Sequence, residues 1–256
     1  AIVVTGGVME AALRSAYFLV NGEGYKGWLT DTDEYKYYFY SGSGVMAKGW
    51  VENKKEQKRY FSQANGRMCT GWVKSSAGNY RYFKPSNGIM YTGLEKIDSD
   101  YYYFSKSTGV RYQKGFGTVG SKKYYFNPSD GKAKTGWLEL DGKKYYFDEN
   151  GVMLTGWQCV KEKAEPGDGT GISRFVYLGG KEDGMLKGQW LETSERPWDT
   201  KAWSTALNTQ AVRKNNTDET ALMKKDGSRW FYLENDGTPL FLSADATGLK
   251  DGAVKL

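Results

Sequence analysis

The chain has 256 residues, no histidine, two cysteines and a formal charge of +6. The missing imidazole excludes Ser-His-Asp and Cys-His catalysis and the usual imidazole metal ligands, and two cysteines fall short of a four-ligand zinc site. Aromatic residues reach 16%, with 20 Tyr and 9 Trp, while mean hydropathy is −0.67, so burial has to come from ring faces rather than aliphatic bulk.

Along the chain a glycine heads one unit after another, at Gly6, Gly27, Gly49, Gly71, Gly93, Gly115, Gly136, Gly156 and Gly188. The spacing holds at 20 to 22 residues until the last step, from 156 to 188. A fixed short period predicts stacked units with nearest-neighbour energetics rather than one round core. Residues 8–20 contain an apolar run, yet Tyr17-Phe18 followed by Gly22 and Gly27 fits the repeat template, so the segment reads as part of the array and not as a targeting peptide. Trp28, Trp50, Trp72, Trp137 and Trp157 each follow a head glycine, with Leu94 and Phe116 at the intervening units.

The unit at 136–157, GWLELDGKKYYFDENGVMLTGW, shows the local logic. Asp141-Gly142 predicts a hairpin turn between Trp137–Leu140 and Lys143–Phe147. Alternation along the strand sends Tyr145 and Phe147 to one face and Tyr146 to the other. A lone hairpin is marginal in water, so aromatics on both faces require neighbouring hairpins to cover each other. The predicted fold is all-β, a solenoid of stacked β-hairpin repeats of 20–22 residues. Loop glycines at 44, 66, 88, 109, 131, 151 and 184 predict positive φ or close backbone approach. Met46, Met68, Met90 and Met153 stand before the next head glycine, placed either to floor grooves or to fill gaps.

Residues 161–173 are a polar insertion, and 191–223 depart further, with Trp203, Leu207 and Val212 at helix-compatible spacing after Pro197. The predicted organisation is a hairpin solenoid of about eight repeats over residues 1–190, then a divergent repeat or cap over 191–256 with a short helix. Cys69 and Cys159 lie about four repeats apart, beyond disulfide reach in a stacked array, so two free thiols are expected.

Chemistry other than binding has little support. Asp98 with Asp100, and Asp148 with Glu149, sit at turn positions where solvated acids are ordinary. No phosphate-binding glycine loop occurs, Asp168–Gly171 is too short for a calcium loop, and no cofactor or metal is expected. No stretch is apolar for eighteen residues, which argues against membrane insertion by a helix. The lysines come in pairs, Lys122-Lys123, Lys143-Lys144 and Lys224-Lys225, as on a solvated strand face, and no nucleic-acid signature accompanies them. What remains is multivalent binding by aromatic rings, with an all-core spacer stalk as the competing reading. The oligomeric state stays open.

The recurring Gly-Trp, Tyr-Tyr-Phe and loop-Gly order resembles the cell-wall-binding, or choline-binding, repeat family, with its relatives in clostridial toxin receptor-binding regions and glucan-binding domains of glucansucrases. The likeness covers residues 6–190 well and 224–248 loosely. It implies a secreted or cell-surface Gram-positive module, without catalysis, that binds choline-decorated teichoic acid or a glycan polymer between hairpins; a toxin- or adhesin-like host-glycan role and the tail of a secreted enzyme are alternatives. Carried over, Trp28, Trp50, Trp72, Trp137 and Trp157 would wall the ligand sites. Tyr38, Tyr60, Tyr80, Tyr82, Tyr101, Tyr103, Tyr125 and Tyr146 of neighbouring hairpins would complete them, with Met46, Met68 and Met90 beneath. Choline-binding members open the second strand with Trp, whereas Lys36, Lys58, Lys123 and Lys144 stand here and only Tyr80, Tyr101, Phe175 and Trp230 keep a ring. That departure implies few choline cages and a lean towards carbohydrate.

Overall fold

A computed structural model describes residues 18–20, 23–161, 173–193 and 229–237. Among them the chain forms eighteen strands and no helix, and each strand pairs antiparallel with one partner, giving nine hairpins. In a first compact unit, ending at Gln113, β1 (Leu19–Val20) pairs with β2 (Glu23–Gly24), β3 (Gly27–Thr30) with β4 (Lys36–Phe39) and β5 (Gly49–Glu52) with β6 (Lys58–Phe61). β7 (Gly71–Lys74) with β8 (Tyr80–Phe83), and β9 (Gly93–Ile97) with β10 (Asp100–Phe104), complete it. A second unit, from Lys114, holds β11 (Gly115–Val119) with β12 (Lys122–Phe126) and β13 (Gly136–Leu140) with β14 (Lys143–Phe147). It continues with β15 (Gly156–Lys161) against β16 (Ser173–Leu178) and β17 (Gln189–Thr193) against β18 (Arg229–Leu233).

The fold is the all-β solenoid of stacked hairpin repeats that the period predicts. Residues 190 and 191, where a domain boundary was expected, are consecutive in β17, which pairs with β18. The expected helix around Trp203, Leu207 and Val212, the centre of the 161–173 insertion and residues 8–17 lie outside the described residues. Cys69 is a free, half-buried thiol; the side chain of Cys159 lies outside the described ones.

Two kinds of turn close the hairpins. At Asp141-Gly142 both residues take positive φ, 51° and 73°, the two-residue turn whose twist matches the strands it joins. The earlier hairpins use longer loops fastened by their first side chain: Asp31 Oδ1 accepts from the N–H groups of Asp33 and Tyr35 at 3.0 and 2.9 Å. Asn53 Oδ1 does the same for Lys55 and Gln57 at 2.9 and 3.0 Å, the local capping that favours Asx residues in turns.

After seven of the nine hairpins the chain returns and pairs a single residue with the end of the second strand, as Met68 does with Phe61. Five of these residues also reach the preceding hairpin. The N–H of Met68 donates to Lys36 O at 2.8 Å, Met90 to Lys58 at 2.8 Å and Arg111 to Tyr80 at 2.8 Å. In the second unit Met153 donates to Lys123 at 2.8 Å and Met185 to Lys144 at 2.7 Å. These bonds use groups that an isolated two-stranded ribbon would leave open at its edge. Loop glycines make the contact possible: a Cβ on Gly88, whose φ is +69°, would lie 2.5 Å from Met68 Sδ.

No single core forms. Phe39, Phe61, Phe83, Phe104, Phe126 and Phe147 are each at most 1% exposed, and they anchor small clusters, such as Ala47, Phe61 and Met68 with Tyr38 and Val51. Each buried ring stabilises its own seam by roughly 1.5–3 kcal/mol, so the energy is distributed repeat by repeat.

Candidate binding site

Strand register fixes which ring meets each head residue. Trp28 stands opposite Tyr38, Trp50 opposite Tyr60, Trp72 opposite Tyr82, Phe116 opposite Tyr125, and Trp137 opposite Tyr146. The four Trp–Tyr pairs meet at 5.0–5.1 Å between centroids, and Phe116–Tyr125 at 5.1 Å, contacts worth about 0.5–1.5 kcal/mol each beyond burial. The tyrosine directly across the ladder from each of these head rings belongs to the same hairpin, and at Trp72 and Phe116 the neighbouring hairpin adds a second one, Tyr102 and Tyr145.

The neighbouring hairpin supplies the residues on the other side of the seam. Alternation places positions 59 and 61 on one face of β6, and both approach Trp28. Phe61 lies 6.0 Å from its ring and the Arg59 guanidinium 5.4 Å. One repeat on, Phe83 lies 6.0 Å and the Arg81 guanidinium 5.4 Å from Trp50. At the third seam the corresponding residue is Tyr102, 5.0 Å from Trp72, with Arg111 arriving from the return segment at 5.3 Å. In the second unit Tyr145 approaches Phe116 at 5.1 Å, and Trp137 packs on Val160, Val176 and Leu178.

These seams differ in openness. Trp28 is 47% exposed, Trp50 49% and Trp72 40%, whereas Trp157 is 2% exposed. Trp137 is half-buried, and its indole N–H has no hydrogen-bond partner among the described residues. Met46, Met68 and Met90 are buried, each against the loop glycine of the next repeat, Gly66, Gly88 and Gly109. Tyr80 lies under Arg111 at 4.4 Å and Lys74 at 5.2 Å, Tyr101 under Lys96 at 5.3 Å, and Tyr103 beside Tyr112 at 6.4 Å.

Two features escaped the sequence reading. Trp190 is a further exposed head indole, opposite Tyr232 with rings 5.2 Å apart; Gln189, not Gly188, takes the head position opposite Leu233, which shifts the unit by one residue. Arg59 and Arg81 stand where other repeats carry Tyr37, Tyr102, Tyr124 and Tyr145, a substitution visible once the KRYF, YRYF and KYYF strands are aligned.

Electrostatics around the seams follow from burial. Desolvation lowers the Arg59 pKa, though a guanidinium stays protonated at any ordinary pH. Tyr37 donates to Asp31 Oδ2 at 3.0 Å and accepts from Arg67 Nε at 3.2 Å, and burial pushes its phenol upward. The turn acids serve structure: Asp148 Oδ1 accepts from the N–H groups of Asn150 and Val152 at 2.9 and 2.8 Å. Among the described residues no three His, Cys, Asp or Glu side chains converge on a common point.

The choline-binding repeat model matches residues 55–92 and 134–165, and the cell wall binding repeat model matches 92–110, 114–133 and 224–238. The matched segments carry β6 to β15 and β18, with the Trp72 and Trp137 head residues, whereas Trp28, Trp50 and Trp190 lie outside them. Over these segments the chain is built of choline-binding and cell wall binding repeats. The chain is similar to CbpJ from Streptococcus pneumoniae TIGR4, at 25% identity over 67% of this chain and 56% of that one, with a TM-score of 0.54. Choline binding protein F from Streptococcus pneumoniae, solved in the presence of a tetrasaccharide-pentapeptide peptidoglycan analogue, is 27% identical over 68% of this chain and 56% of that one, with a TM-score of 0.52. The chain thus spans a little over half the length of either relative. No curated protein sequence matches it. Choline-binding repeats are typically non-catalytic modules of cell-surface or extracellular proteins, and they bind choline-containing cell-wall polymers.

Proposed function

We propose that this chain is an extracellular, non-catalytic module that holds a cell-envelope polymer, choline-decorated teichoic acid or a glycan, along the open aromatic seams of its first unit. The observation that carries this reading is the contrast within each seam. Trp28, Trp50 and Trp72 are 40–49% exposed, while the phenylalanines they pack on, Phe61, Phe83 and Phe104, are at most 1% exposed. A purely structural repeat would gain by burying its largest ring; this one buries phenylalanine and leaves indole at the surface. An indole face contributes roughly 0.5–2 kcal/mol to a cation, and it equally covers the apolar face of a sugar. Consecutive sites on one scaffold raise weak contacts to useful avidity against a repeating ligand.

The spacer reading is favoured in the second unit by Trp157, which is 2% exposed. The two roles are compatible if the first unit holds the polymer and the hairpins around Trp157 extend the module. Host glycans are the other ligand source, and the relative solved with a peptidoglycan analogue favours the bacterial envelope. Tryptophan fluorescence during titration with choline, teichoic acid, an α-glucan and host-type glycans tests the reading. A saturable change with at least one of them is expected, and silence towards all at millimolar concentration contradicts it.

A further inference from the structure

The seams at Trp28 and Trp50 already hold a cation. Arg59 sits 5.4 Å from the Trp28 ring, and its Nε donates to Asn87 O at 2.8 Å. Arg81 repeats the arrangement on Trp50, with its Nε donating to Thr108 O at 2.8 Å. Each guanidinium is thus pinned by one hydrogen bond to a loop that follows the next hairpin, and it occupies the electrostatic position over an indole that an incoming ammonium would need. A tethered cation competes at an effective concentration that a free ligand cannot match.

A second cation is brought to the same loop. Lys36, from the hairpin of Trp28, donates through Nζ to Ser86 O at 3.2 Å, the carbonyl next to the one that binds Arg59. Among the described residues no carboxylate lies within salt-bridge distance of Lys36, Arg59 or Arg81. Arg59 keeps its terminal N–H groups for another acceptor after its Nε is used, and Lys36 keeps two of its three donors. The Trp28 indole beside them is half exposed. Three hairpins therefore combine a flat apolar platform with two positive groups anchored at adjacent carbonyls, neither of them in a salt bridge among the described residues.

We propose that the Trp28–Arg59–Lys36 seam, and its repeat at Trp50–Arg81, bind an anionic saccharide, with the sugar ring on the indole and its carboxylate or phosphate on the guanidinium, and that they reject quaternary ammonium. This rests on the reading of the first unit as a polymer-binding surface and names the chemistry of two of its seams. A planar guanidinium pairs with carboxylate and phosphate oxygens in a bidentate manner that a lysine or an uncharged side chain does not reproduce. At the third seam Tyr102 fills the Arg59 position, and the cation comes instead from the return segment, as Arg111, 5.3 Å from the Trp72 ring and donating to Gln113 Oε1. Unit one consequently carries two seams whose guanidinium belongs to the strand and is pinned to a loop carbonyl, and a third in which a ring takes that strand position.

The test compares the full chain with the double variant Arg59→Tyr, Arg81→Tyr, which installs the residue this fold already accommodates at Tyr102, and with Arg59→Lys, Arg81→Lys, which keeps the charge but loses the fork. Circular dichroism establishes that each variant folds. The probes are an oligouronate, a poly(glycerol phosphate), a neutral α-glucan oligosaccharide and choline, each followed by tryptophan fluorescence. The expected result is binding of the oligouronate or of the poly(glycerol phosphate), which tells the carboxylate source from the phosphate source. The affinity should fall about tenfold or more in the tyrosine variant, in keeping with one charge-assisted contact, less in the lysine variant, and with rising salt in the wild type. Choline should bind the tyrosine variant better than the wild type. Anionic probes that bind all three proteins equally, or choline that binds the wild type as well as the tyrosine variant, overturn the proposal while leaving the polymer-binding reading intact. A protein that binds none of the four probes overturns both.

Discussion

The backbone N–H of Met68 donates to the carbonyl of Lys36, 2.8 Å away and one hairpin back. The same bond recurs at Met90 with Lys58, Met153 with Lys123 and Met185 with Lys144. A hairpin that would be marginal alone thus has its edge covered by its successor, and its methionine seated under that successor's glycine. Over Met68 that glycine is Gly88, with φ +69° and a hypothetical Cβ 2.5 Å from Met68 Sδ. Gly88→Ala should cost about 1–3 kcal/mol, from the left-handed backbone and from overpacking together. Adding Met68→Ala to that variant should relieve the steric part, so the two changes should be less than additive in urea denaturation.

Phe61 and Trp50 should separate stability from binding. Phe61 is fully buried while Trp50 is 49% exposed. Phe61→Ala should cost about 3–5 kcal/mol, and Trp50→Ala about 1–2 kcal/mol, mostly its ring contacts. Equal losses in the two variants would mean that the indole acts as core.

Alkaline pH should weaken the array. Burial raises the pKa of Tyr37, Tyr91 and Tyr145, so each phenol ionises later in the folded chain than in the unfolded one. Their contribution is fully present below the unfolded value of about 10 and is lost as pH rises through the folded values. Absorbance at the phenolate band should show late-ionising tyrosines, and the urea midpoint should fall above about pH 10. Tyrosines that all titrate as free phenols would contradict this packing.

Cys69 should be a slow nucleophile. Burial pushes its thiol up, so little thiolate exists at neutral pH. Alkylation by iodoacetamide should lag behind that of free cysteine at pH 7 and accelerate on denaturation. A rate matching free cysteine in the folded protein would contradict its half-buried setting.

Much of this was legible in the sequence because glycine, tryptophan and the Tyr-Phe strand ends recur at fixed intervals, and a period of that kind leaves few folds. The hairpin at Asp141-Gly142 and the covered faces of Tyr145 and Phe147 follow from turn chemistry and alternation alone. The openness of each seam was less legible. Trp50 and Trp157 occupy the same repeat position, yet one is exposed and the other buried, because exposure depends on what the next hairpin lays against the ring. Arg59 and Arg81 were visible as letters, but their role depends on a contact one hairpin away and a carbonyl 28 or 27 residues along. Trp190 was missed because the unit starts at Gln189 and not at a glycine, which only strand register reveals.

Co-sedimentation with purified cell-envelope polymer, comparing the wild type with the triple variant Trp28→Ala, Trp50→Ala, Trp72→Ala, tests the central claim most directly. The wild type should pellet with the polymer, and the triple variant, still folded by circular dichroism, should lose at least about tenfold in affinity, as expected when several weak ring contacts act together. A triple variant that pellets as well as the wild type, or a wild type that stays in the supernatant, would contradict it.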